Sequence, residues 1–448
     1  MKYRFFCKCL SVASLFMAAY NYAQEVQEKE NEITVNAQLR PRFEVRNGAY
    51  KPIQEGEDPA VLVNNRTRIT MDYARKDNLK LRISAQNVNI WGQAAQVQIN
   101  DPSGGFSIYE AYAELKLAKD WSTKIGRQAI VLDDERIFGG LDWHPAGRSH
   151  DALNISWKKS NVEVKSYFAF NQNYKNANLN VNNPIGQYFN PTDAQPYQHM
   201  EMIHSKFLVG KNSNLSLIFS NLGFESDIIQ NSQIVNGDNY NMQTLGTYFT
   251  GKKGSLEGNI SGYYQFGKNA SGKDKSAYML GGFAKYAVSK PFSVGVGVDY
   301  LSGDDVNNGN SDKSNYFDPL YGTHHKFYGY MDYFYVSGAN NPGLLDIYLS
   351  GTYQFNTKAN LYGALHAFNS SGTIYNAAHE KMSSSLGSEF DLQFNYQVIP
   401  NVSLSTGYSM YFDTKTIQLI KNTPNPKGMQ NWFWMSLNIN PKIFNYKF

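Results

Sequence analysis

Cysteine is almost missing from this chain: of 448 residues only Cys7 and Cys9 carry a thiol, both within the first nine positions. Everything beyond them is closed to disulfides, thiol catalysis and cysteine-ligated metals. Long apolar runs are missing as well. The run from Leu10 to Ala19 falls short of the about 20 residues a spanning helix needs, and no later stretch of that length is uniformly apolar. With Lys2, Arg4 and Lys8 ahead of it and Asn21-Tyr22-Ala23-Gln24 behind, it reads as a signal peptide over residues 1–23, cleaved after Ala23 and taking both cysteines with it. No Pro/Ser-rich linker or break in composition follows, so residues 24–448 are expected to form one unit. Arginine runs out early: all 11 lie at or before Arg148, and the last 300 residues carry positive charge on lysine alone. No basic patch of the kind that grips nucleic acid is present, because the formal net charge is only +4 and the basic residues are dispersed.

What remains is rich in rings. Aromatics reach 15%, with 32 Tyr and 27 Phe, while the mean hydropathy is negative. Strands with one face in lipid and the other in water reconcile the two, with Tyr and Trp gathered at the membrane interfaces; the rival is an aromatic-rich soluble β-protein. Period-two alternation favours the former. Leu39, Phe43 and Val45 alternate with Gln38, Arg40, Arg42, Glu44 and Arg46, and Leu79, Leu81, Ile83 and Ala85 alternate with Lys80, Arg82, Ser84 and Gln86.

Short turn signals then recur at intervals of mostly roughly forty residues, about two strands and one longer loop. They are Lys76-Asp77-Asn78, Ala118-Lys119-Asp120, Lys159-Ser160-Asn161, Asn212-Ser213-Asn214, Lys253-Gly254-Ser255, Ser289-Lys290-Pro291, Thr357-Lys358-Ala359 and Ile399-Pro400-Asn401. Eight short turns with both termini on the periplasmic side predict an all-β fold, a single 18-stranded antiparallel transmembrane β-barrel. Polar stretches at Gln172–Gln198, Gly303–Lys326 and Asn369–Ser383 read as long extracellular loops. Phe433, Met435, Leu437 and Ile439, then Phe444, Tyr446 and Phe448, form a closing strand that Pro441 interrupts.

Arg40, Arg42, Arg46, Arg66, Arg68 and Arg82 all fall on even, inward positions, so they should line one arc of the lumen. A guanidinium fork matches carboxylates and phosphates, and basic rings are how pores favour anions. The competing reading pairs these arginines with inward Glu44, Asp72, Glu110 and Glu114 to brace the wall. The segment Gly126–Leu153 is the most densely charged and is expected to fold into the pore, narrowing it, with Phe138 and Trp143 as packing anchors. Adjacent Asp133, Asp134 and Glu135 are a weak basis for acid–base hydrolysis, and neighbouring Ser149, His150 and Asp151 point to opposite faces, so no enzyme is expected. The oxygen-rich stretch Gly303–Asp312 lacks the spacing of a known calcium loop, and the eight histidines, His324-His325 included, show no paired ligand spacing. No metal and no cofactor is expected.

Gly126-Arg127-Gln128, Asp134-Glu135-Arg136-Ile137-Phe138-Gly139 with Asp142-Trp143 and Gly147-Arg148, Phe317-Asp318-Pro319-Leu320-Tyr321 with His325–Tyr330, and Leu386–Leu392 together resemble the alginate export family of outer-membrane porins. The resemblance spans nearly all of the mature chain. It implies an 18-stranded barrel in the outer membrane with an electropositive constriction passing an anionic polyuronate, and it brings in Arg127 and Arg148 as pore-lining residues with Asp134 orienting them. Arg136 sits in the same run. The implied partners are outer-membrane lipid, anionic carbohydrate or small anions, and periplasmic export components. The Ala23-Gln24 cleavage point and the Asn/Tyr-rich loops resemble those of Bacteroidetes proteins. Alginate secretors of the family place pore arginines in later strands too, and here there are none, which keeps open a general diffusion porin for uptake, an enzyme barrel and a plugged scaffold.

Overall fold

The computed structural model describes residues 31–75, 78–96, 105–171, 197–230, 233–308, 311–334 and 341–448. The leader at 1–23 and most of the loop read at Gln172–Gln198 lie outside the described residues. Twenty β-segments form one sheet: β1 Asn31–Asn47, β2 Ala60–Arg75, β3 Leu79–Ile90, β4 Phe106–Ala118, β5 Trp121–Gln128, β6 His150–Lys159, β7 Val162–Phe170, β8 His199–Leu208, β9 Ser213–Gln230 and β10 Gln233–Lys253 come first. β11 Leu256–Lys268, β12 Asp274–Ala287, β13 Phe292–Leu301, β14 Lys313–Ser314, β15 Leu344–Asn356, β16 Ala359–Asn369, β17 Ser385–Ile399, β18 Val402–Asp413, β19 Gln430–Ile439 and β20 Lys442–Lys447 follow, with a short helix, α1 Lys415–Ile420, before β19.

Eighteen of these are the staves of a closed antiparallel barrel. β14 is a two-residue loop segment lying parallel to β12, and β20 continues β19 beyond Pro441, since both pair with β1. The proline lacks an N–H, and the ladder accommodates it with a register shift between Val35 and Asn36, where Ala37 N donates to Pro441 O at 3.1 Å. Closure follows from the solvent. An unpaired backbone group in hydrocarbon costs several kcal/mol, so a membrane sheet must leave no edge, and β1 pairs with β2 on one side and with β19 and β20 on the other.

Burial is inverted relative to a soluble protein. Ile260 is 67% exposed on the outer face while Gln265, five residues further along β11 and so on the other face, is fully buried within the barrel. Outward Trp121, Phe292 and Tyr353 sit toward the short turns, and Phe106, Phe170 and Phe412 toward the long loops, two girdles at the two interfaces. Seven of the expected turns join strands, between β4 and β5, β6 and β7, β8 and β9, β10 and β11, β12 and β13, β15 and β16, and β17 and β18, while Lys76 and Asp77 of the one expected between β2 and β3 lie outside the described residues. The long loop expected at Gly303–Lys326 lies within the connection from β13 to β15.

The apolar core therefore lies in the lumen, where loops fold inward. Ile130, Leu132, Ile137 and Phe138 from the β5–β6 loop pack in one cluster with Phe317, Tyr321, Tyr328, Met331 and Tyr333 from the β13–β15 loop and Ile417 of α1.

Candidate functional site

The β5–β6 loop, residues 129–149, crosses the lumen and is stitched to the β13–β15 loop. Tyr321 N donates to Ile137 O and Gly139 N to Tyr321 O, each at 2.9 Å, and Thr323 N donates to Glu135 O at 2.8 Å. The backbones run so close that a Cβ on Gly322 would overlap Arg136 O. Sharp local reversals put Asp133, Glu135 and Leu141 at positive φ. Phe138 is fully buried. Trp143 stacks on His325 with ring centroids 3.8 Å apart and planes 5° apart, takes the Arg42 guanidinium 3.9 Å from its ring, and meets Trp434 edge-on at 4.8 Å.

The arginines of β1 and β2 reach this loop through its main chain. Arg40 donates to Asp142 O at 2.7 Å, His144 O at 3.3 Å and Trp143 O at 3.5 Å, and Arg42 donates to Trp143 O at 2.7 Å. Arg66 reaches Pro145 O and Arg68 reaches Ala146 O, both at 3.4 Å, and Gln86 of β3 also donates to Ala146 O, at 2.9 Å. Five consecutive carbonyls, 142 to 146, are thus held by one wall. Two carboxylates accompany them. Asp142 accepts from Arg66 at 2.8 Å and Arg40 at 3.3 Å, and Glu44 accepts from Arg42 at 2.8 Å and Arg46 at 2.7 Å. Desolvation by the protein surrounding the lumen would by itself raise the Asp142 carboxyl, although the side chain still meets water, but the Arg66 and Arg40 guanidinium groups overcome it and hold it below the usual range. His144 is pushed down by burial and then by Arg42, which favours the neutral ring whose Nδ1 accepts from Ala146 N at 3.2 Å.

Arg82 is braced differently, in a two-pronged pair with Asp72 at 2.7 and 3.1 Å and with Glu110 at 3.3 Å. Two residues brought in by resemblance stand elsewhere. Arg127 shares the outward parity of Trp121 and Ile125 on β5 and pairs with outward Asp151 at 3.0 Å, so its side chain is on the lipid-facing side of the wall. Asp134 orients neither Arg127 nor Arg148. It pairs with Arg136 at 3.3 Å, because the turn folds the chain back on itself there. Arg136 crosses to Asp299 of β13 at 3.0 Å, both side chains nearly sealed from water, and Arg148 donates to Gly322 O at 2.9 Å.

A second stretch of wall, from β13 to β17, also carries charge. Asp299 of β13, Asp346 of β15, and Glu389 and Asp391 of β17 are at most 1% exposed. Glu389 accepts from Met331 N at 2.7 Å and Asp391 from Tyr330 N at 3.3 Å, while His366 lies 3.0 Å from Asp346. Each acid sits at an inward position of an alternating strand, a signal as readable as that of the arginines.

The acids weighed for hydrolysis are each engaged: Asp133 with His204 at 3.0 Å, Asp134 with Arg136, and Glu135 with Thr323 at 3.0 Å. His150 bonds Tyr197 at 2.7 Å while Asp151 faces outward. In the Gly303–Asp312 stretch, part of which lies outside the described residues, Asp304 and Asp305 accept from Asn315 N at 2.5 Å and Thr373 N at 2.8 Å. Among the described residues no three His, Cys, Asp or Glu side chains converge as a metal site.

The alginate export family model matches residues 31–419. A search of curated proteins found no match to the chain. Among solved structures, the barrel is similar to the outer membrane protein OpdK of Pseudomonas aeruginosa, at 8% identity and a TM-score of 0.60, covering 94% of this chain and 100% of that one. OpdL of the same organism is 12% identical with a TM-score of 0.61 over 92% and 99% of the two chains. OccAB4 of Acinetobacter baumannii is 12% identical with a TM-score of 0.57 over 94% and 99%.

Proposed function

Since the chain belongs to the alginate export family and is an outer-membrane β-barrel, we propose that it is a passive porin for anionic solutes, carboxylated saccharides or small anions, drawn by the arginine wall of β1 and β2. One observation carries this reading. Arg40, Arg42, Arg46, Arg66 and Arg68 are faced by two carboxylates, Glu44 and Asp142, which leaves three positive charges in excess. The carbonyls that take their other hydrogen bonds are neutral, so these bonds hold the guanidinium groups without cancelling their charge. Asp142, at the centre of the cluster, is 72% exposed to lumen water, so a passing anion can exchange with it, and a competing carboxylate keeps binding weak enough for release.

The acids of β13, β15 and β17 are at most 1% exposed and present little charge to the water path. Arg136 and Arg148 tie the two loops together and set the constriction's shape. Reversal potentials of the purified protein in a planar bilayer under a salt gradient test the proposal. A current carried mainly by anions is expected, and a cation-selective current overturns it. Equal permeabilities would leave a general diffusion porin, and interruption of the current by added polyuronate would extend the reading to polysaccharide.

A further inference from the structure

Beneath the inward loops, on the side of the short turns, a cavity of about 450 Å³ opens against β10–β16, away from the arginine wall. Two rings pave it. Phe283 of β12 and Tyr348 of β15 lean from either side over β13, where Gly295 and Gly297 face inward and any Cβ would overlap those rings. The ring centroids are 5.9 Å apart and their planes 14° apart, so they form one nearly continuous surface rather than an edge-to-face contact. Tyr362 and Tyr330, 6.1 Å apart, flank it. These four rings are half-buried, packed on one side and open on the other.

The polar groups around this floor are arranged for hydroxyls. Asp299 lines the cavity; its Oδ2 pairs with Arg136, while its Oδ1 is buried and has no hydrogen-bond partner among the described residues. Asn259 and Ser350 border the same space. Charge is close to balanced: Asp133, Asp134 and Asp299 stand against Arg136 and Lys326, and Lys326 already donates to Asp134 O at 3.0 Å.

The geometry points to a saccharide subsite, in which one uncharged pyranose unit lays its C–H face on Phe283 and Tyr348 and turns its hydroxyls to Asn259 and Ser350 at the border. Aromatic carboxylates suit the floor but not the rim, because their charge would meet Asp299, with Asp346 behind it. The volume holds one sugar ring with its water rather than a chain, since ligand sites for larger molecules run to about 1,000 Å³. This deepens the porin reading and rests on it only for access: the arginine wall handles charge, and this floor handles the sugar body.

The test uses the full-length protein in a planar bilayer, with maltotriose added on the short-turn side. Concentration-dependent interruptions of the current are expected, with an apparent affinity about tenfold weaker in Tyr348→Ala and retained in Tyr348→Phe, each normalised to that variant's own open current. Calorimetric titration of the detergent-solubilised protein with maltotriose, and separately with benzoate, covers the case in which Tyr348→Ala does not assemble. Conduction without interruption, no heat with maltotriose, or heat with benzoate alone overturns the subsite and leaves the porin standing. Maltotriose heat in a protein that does not conduct upholds the subsite and overturns the porin instead.

Discussion

The two walls of this barrel hold its inward loops by opposite chemistry. On β1 and β2, guanidinium groups donate to the carbonyls of residues 142–146; on β17, carboxylates accept the N–H groups of Tyr330 and Met331. In both cases the partner is a neutral peptide group. On the arginine wall these bonds take nothing from the formal charge, which Glu44 and Asp142 cancel only in part. An ion pair would have satisfied the same groups and erased the field. Bracing the wall and charging the pore, which look like competing uses of the arginines, are therefore compatible.

The walls differ in which charge meets water, and that can be broken by substitution. The largest effect is expected from Asp299→Asn, which leaves the nearly sealed Arg136 with Asp134 alone. The loss should be about 3 kcal/mol, read as a lower temperature for the heat-induced mobility shift on gels, with ion selectivity little changed. Next is Arg40→Gln/Arg66→Gln/Arg68→Gln. Glutamine still donates to carbonyls but carries no charge, so the anion-to-cation permeability ratio should fall about tenfold with the barrel intact. A ratio that does not move would mean the charge excess is idle.

Asp142→Asn acts the other way, freeing Arg40 and Arg66 from their carboxylate while the main-chain contacts remain; anion preference should rise about twofold, measured as the reversal potential. The same group sets a pH response. Its folded pKa lies below its unfolded one, so the stabilisation it gives is complete above about pH 4 and is lost as pH falls further, through the folded value. Open-channel noise from a loosened loop should appear only in that acid range, and its onset near neutrality would contradict the assignment. Arg127→Ala should do least, because that side chain lies outside the pore: no shift in reversal potential is expected.

Much of the barrel was written in alternation and turn chemistry. Lysine, asparagine and proline clusters such as Ser289-Lys290-Pro291 and Ile399-Pro400-Asn401 mark reversals that hold in the fold, and the inward parity of Arg40, Arg42, Arg66 and Arg68 is local information. What those arginines touch is not. Their partners lie about a hundred positions away in a loop and are carbonyls, which every residue has, so no side-chain pattern announces them. Arg127 was misplaced for another reason: resemblance assigned it to the pore, although its spacing from Trp121 and Ile125 sets it on the outer face. The acids of β13, β15 and β17 follow the same inward parity, one or two to a strand, without the clustering that marks the arginines of β1 and β2.

One property of the latch on residues 142–146 reaches further than geometry. What the guanidinium groups recognise there is main chain, the part of a protein that mutation leaves alone. The main-chain part of the latch does not depend on which side chains that stretch carries, so the loop crossing the lumen is open to retuning for new solutes while much of its fastening stays as it is.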